Sequence, residues 1–194
     1  MSRVKEVLRN IKKLSSHLLM SLRHTEEASH TMKGQIFIKD SEGNLLWESP
    51  NVIVNTASIL VARLLKDSKE PSHGIFCLAV GTGDPTWGLE VLQDPPAPTT
   101  SQVRLENELY RKAVTTSVFI DPSTGEATQE FTNIVDYSFN FSESEAVGTL
   151  VELGLFGGDA TDALNTGTMV NYRTFPVLNK TNSMAFVIIV RITT

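Results

Sequence analysis

The sequence predicts a mainly β protein: an antiparallel two-sheet β-sandwich, a jelly roll being one form of it, with one packed helix and an N-terminal amphipathic helix. Three observations point there. In the stretch EAVGTLVELGLFGG, residues 145–158, Val147, Thr149, Val151 and Leu153 alternate with Gly148, Leu150, Glu152 and Gly154. That two-residue period with both faces partly apolar is the pattern of a buried strand. FTNIVDYSFNF before it, and TMVNYRTFPVL and MAFVIIVRI after it, supply neighbours with the same period. Turn signals separate the strands, which favours antiparallel sheets over a parallel one.

Composition limits the function classes. The chain has 194 residues, 41% hydrophobic and 20% charged, which suits one domain with a core plus an appendage. No apolar run reaches the roughly 18 residues of a membrane span. Cys77 is the one cysteine, so no intramolecular disulfide and no Cys-based zinc motif is available. The net charge of −5 is unevenly divided. Residues 1–33 carry seven Lys/Arg and three Asp/Glu, whereas residues 34–194 carry ten against nineteen. An acidic body argues against a nucleic-acid partner, because phosphate affinity comes from clustered Lys and Arg.

From Ser2 to His24 the pattern is helical. Val4, Leu8, Ile11, Leu18 and Leu22 form an apolar stripe, opposite Arg3, Lys5, Arg9, Lys12 and Lys13. Docking on protein, lying on a membrane surface and organelle targeting compete as readings. Burial against the chain's own body or a neighbouring subunit is the usual fate of such a stripe. The continuous apolar core of a secretory signal is missing, and residues 25–33 are polar and aperiodic. The expected division is therefore a helix and linker over 1–33 and a β-sandwich body over 34–194.

The body opens with strands over 35–39 and 45–54, joined through a loop with Gly43 in a turn position. Asn55 or Thr56 offers an N-cap to a helix over 57–66. A strand over 74–80 ends in Gly81-Thr82-Gly83. Without a following helix, a third glycine or a Lys-Ser/Thr pair, that turn does not read as a phosphate loop. QDPPAPTTS reads as an exposed loop, and 103–112 as either a helical turn or an extended segment. Strands follow over 114–120 and 131–141, the second with Phe131, Asn133, Val135, Tyr137, Phe139 and Phe141 on one face directed at the core. Strands over 169–175 and 184–192 complete about eight strands and two helices.

Chemistry-bearing residues are sparse. His17, His24 and His30 lie in the leader or linker. His73 and Cys77 share a strand without a nucleophile motif, which reads as a buried, inert cysteine. Asp159 and Asp162 lack the ligand count of a calcium loop. Glu108, Arg111, Glu152, Arg173 and Lys180 lie next to apolar segments and read as structural ion pairs, with Arg111 or Arg173 as the expected partner of Glu152. No catalytic, metal or cofactor-binding set is assembled, so no enzyme and no cofactor is expected.

Gly81-Thr82-Gly83, Leu105 through Leu109 with Arg111, Glu145-Ala146-Val147-Gly148, Glu152-Leu153-Gly154-Leu155-Phe156, Thr166-Gly167, Arg173-Thr174-Phe175 and Lys180, in that order, resemble tailed-bacteriophage structural proteins of the tail-fibre or tail-associated type. The resemblance covers roughly residues 50–192. It implies a virion component without catalysis, in tail, baseplate or neck, assembled in the host cytoplasm. The implied partners are copies of itself and other virion proteins, with host-surface contact left open. The alternatives are a capsid decoration protein, a carbohydrate-binding or hydrolytic β-sandwich using Trp47 and Trp87, and a membrane-surface protein anchored by the leader.

Overall fold

The computed structural model of the chain describes residues 31–66 and 73–194. Met32–Thr194 form one unit of the chain, and every described element belongs to it. The elements are β1 (Lys33–Asp40), β2 (Leu45–Ile53), α1 (Thr56–Lys66), β3 (His73–Gly81), α2 (Leu89–Gln93), β4 (Glu108–Ala113), β5 (Thr116–Ile120), β6 (Ala127–Thr128), β7 (Ile134–Phe141), β8 (Gly148–Gly158), β9 (Thr168–Lys180) and β10 (Phe186–Thr193). The chain is mainly β. Its ten described strands run in the order β4-β3-β8-β9-β2-β1-β10-β7-β5-β6, and neighbours pair antiparallel.

β2 divides its pairing. Leu45 to Asn51 face β1, while Val52 and Ile53 pair with Tyr172 and Asn171 of β9. The same strand thus belongs to two groups of neighbours. One buried cluster draws on both groups: Ile36, Ile38, Phe139, Phe141, Phe186, Ile188 and Val190 meet Leu78, Val80, Leu150, Leu153, Leu155, Val170 and Phe175. Phe141 and Phe186, directly opposite in register, stack with ring centroids 4.7 Å apart.

The alternation in β10 is regular: Phe186, Ile188, Val190 and Ile192 are buried and the residues between them are half-buried. β8 is buried from Leu150 to Gly158, as a strand covered on both faces should be. Its pairing with β9 shifts between Leu150 and Glu152, so Leu150 and Leu153, three residues apart, join the same cluster. Phe156 enters a second cluster with Cys77, Ala79, Leu105, Met169 and Tyr172. Glu152 is enclosed by this second set of elements.

α1 places Ala57 and Leu60 in the core and leaves Ile59, Val61, Leu64 and Leu65 exposed. The Thr56 hydroxyl donates to the Met169 carbonyl at 2.6 Å and ties the helix start to β9. One open alternative is decided and one expectation is corrected. The segment 103–112 is resolved in favour of the extended alternative, ending in β4. Strand β7 begins at Ile134, and Phe131 is 91% exposed, resting edge-on against Phe119 rather than entering the core. The short β6 and the five-residue α2 were not expected from the pattern, since neither is long enough to carry a period.

Candidate functional site

Glu152 is fully buried, and its carboxylate is held by four donors. Oε1 accepts from the amides of Gly83 at 3.1 Å and Asn107 at 2.9 Å; Oε2 accepts from the Glu106 amide at 2.9 Å and the Tyr172 hydroxyl at 2.6 Å. The expected pairing with Arg111 or Arg173 is corrected here: among the described residues, amides and a phenol satisfy this charge. The turn after β3 is shaped for it. A Cβ on Gly81 would collide with the carboxylate and lie 2.6 Å from the Asn107 carbonyl, and Gly83 has a φ of +73°. Thr82 donates its amide to the Asn107 carbonyl at 3.0 Å, and Asn107 donates its side-chain amide to the Thr82 hydroxyl at 2.7 Å. The glycine turn therefore cradles an anion, and the anion is the chain's own. Beside it, burial and then the Glu152 charge raise the Tyr172 pKa well above the usual phenol range.

Glu108 and Arg111 form a buried ion pair, with Arg111 Nη2 donating to Glu108 Oε2 at 3.0 Å and Nε donating to Oε1. The register between β3 and β4 shifts at Gly81↔Glu108, leaving Leu109 extra, so residues three apart share a face. The pair fastens the loop between β8 and β9. Arg111 Nη1 donates to the Thr161 carbonyl at 3.1 Å and the Thr166 hydroxyl at 3.0 Å, while Glu108 accepts from the Asn165 amide at 2.8 Å. The guanidinium lies 4.6 Å from the Phe156 ring centre. Cys77, buried beneath it, has its thiol pushed up to about 11 by burial, with Arg111 opposing.

Lys180 and Arg173 have no ion pair among the described residues, which corrects their expected role. Lys180 Nζ donates to the carbonyls of Glu143 at 2.8 Å and Thr181 at 2.9 Å, closing the approach to β8. Arg173 lies 5.9 Å from the Trp47 ring centre, and its Nε is buried without a hydrogen-bond partner. The stripe Val4, Leu8, Ile11, Leu18 and Leu22 lies outside the described residues.

Three ion pairs among the described residues were not singled out in the sequence, the loosest being Arg63 with the exposed Asp159 at 3.6 Å. Lys112 meets Glu145 at 2.7 Å, where Tyr110 and the Ser142 amide also donate. Partial burial opposes ionisation of Glu145, but Lys112, Ser142 and Tyr110 outweigh it and hold the pKa at about 2. Arg191 pairs with Asp136 through two bonds of 2.7 and 2.9 Å across β10 and β7. The directly opposed register Asp136↔Arg191 is the signal that a correct strand alignment exposes. Among the described residues, no group of three or more His, Cys, Asp or Glu is placed to hold a metal ion, and no helix is long and apolar enough to cross a membrane. Comparison with models of known protein families and with curated proteins finds no match.

Proposed function

We propose that the chain is a repeated structural component of a tailed-bacteriophage particle, in its tail, baseplate or neck, working without catalysis. In this reading the body is a two-sheet antiparallel sandwich whose sheets share β2, and the leader joins copies or docks on a neighbouring virion protein. The observation that carries it is the use of the charged residues within the resembling set. Glu152 binds its own chain's amides, and Glu108 with Arg111 fastens a loop, so these groups act as architecture. The exposed apolar residues of α1, with Leu65 82% and Ile59 55% exposed, suit a chain that meets neighbours. Repetition helps such a component, because closed symmetry satisfies every copy with one interface and weak contacts add through effective concentration.

The leader carries the attachment in this account, since burying each large aliphatic side chain of its stripe is worth roughly 1.5–3 kcal/mol. Replacing Leu8, Ile11 and Leu18 together with Asp should convert a purified oligomer to monomer, read by sedimentation velocity, with the β-rich circular dichroism spectrum retained. An unchanged oligomer would remove the leader from the assembly role.

A further inference from the structure

Arg173 on β9 differs from the two arginines that bind carboxylates through two hydrogen bonds each. Arg111 and Arg191 each hold a carboxylate, whereas the side chain of Arg173 has neither an ion pair nor a hydrogen bond among the described residues. It is half-buried and stands on the wall of a cleft of about 520 Å³, lined also by Trp47, Ser49, Asp94, Pro96 and Pro98. Burial works against its charge and lowers its pKa without a compensating anion. Its Nε is sealed from water without a partner, which leaves the Nη groups as the donors available to an anion in the cleft.

The walls are set before any ligand arrives. Thr174 donates its hydroxyl to the Pro96 carbonyl at 2.8 Å, which fixes the proline loop to β9. The Trp47 ring is held against Phe175 with centroids 5.7 Å apart. Proline backbones add stiffness, so little ordering is required on binding. Asp94, exposed on the same cleft, contributes an acceptor.

A ligand that fits must offer a carboxylate to Arg173, hydroxyl donors to Asp94, and an apolar face to Trp47. An acidic peptide fits less well: its carboxylate arm carries neither a ring to lie against Trp47 nor neighbouring hydroxyls to donate to Asp94. A sugar acid has all three features on one ring. We propose that this cleft binds the uronic-acid units of an acidic polysaccharide, through Arg173, Asp94 and the face of Trp47. This inference does not rest on the assembly reading; either can fail without the other.

The test uses the full chain with trigalacturonate and a glucuronate-containing tetrasaccharide as probes, the methyl-esterified trigalacturonate as an uncharged control, and hexaglutamate as the peptide rival, all by titration calorimetry. At least one acidic saccharide should bind, and its uncharged ester about tenfold or more weakly. Arg173→Gln should weaken the acidic saccharide by a similar factor while leaving the ester unchanged, which also reports that the cleft is intact. Asp94→Ala, on an exposed loop, removes the hydroxyl acceptor and should weaken the ester, which carries no charge for Asp94 to repel. Binding of neither acidic saccharide, equal binding of acid and ester, tighter binding of hexaglutamate, or indifference to both substitutions would overturn the proposal.

Discussion

The Tyr172 hydroxyl donates to Glu152 Oε2 at 2.6 Å, and both groups are buried. The phenol is the one side chain among the four donors to this carboxylate; the other three are amides of the two segments that close over β8. Removing either partner therefore has unequal effects. Glu152→Gln puts an NH2 group against two donors whichever way the amide turns, and should destabilise by about 2–5 kcal/mol. Tyr172→Phe leaves three donors in place and should cost about 1.5–3 kcal/mol. Urea denaturation of the two variants checks the order. A Gln variant as stable as wild type would mean that the carboxylate is not the anchor of this turn.

Glu145 gives the fold an acid-sensitive contact. Its folded pKa of about 2 lies below the ordinary value of 4.5, so its contribution is complete above about pH 4.5 and is lost as pH falls toward 2. Glu145→Gln should therefore lower the melting temperature at pH 6 and make little difference at pH 2. A difference between wild type and variant that stayed constant over this range would contradict the pairing with Lys112 and the Ser142 amide.

Cys77 should resist alkylation in the folded chain. The thiol is buried and titrates near 11, so at pH 8 both access and thiolate content are low. Iodoacetamide labelling followed by mass spectrometry should show slow modification in buffer and rapid modification in concentrated urea. Equal rates in the two conditions would place the thiol at the surface.

Period and turn chemistry made the sheet legible, but not the hydrogen bonds that complete it. β10 and the buried run of β8 follow from alternation, because each side chain sees one face and its composition records which. The shared side of Leu150 and Leu153 does not, since one irregular step in register reverses the parity and leaves no mark on the residues themselves. The same holds for Glu108 and Arg111, whose common face depends on the extra Leu109. Phe131 was misplaced by extending the period of β7 backwards past Asn133, beyond the strand's first residue. At Glu152 the sequence showed a charge needing a partner and suggested a cation. Its partners are mainly amides, which every residue carries, brought in from Gly83 and from 106–107 by tertiary closure. The glycines at 81 and 83 were the visible trace of that cradle, although they read as an ordinary tight turn.

The central functional claim is membership of a virion. Quantitative mass spectrometry of gradient-purified particles from the source that encodes this chain tests it most directly. The account predicts that the chain co-sediments with particles in a fixed ratio of several copies to each. Its absence from purified particles, with the chain abundant in the same lysate, would contradict the account.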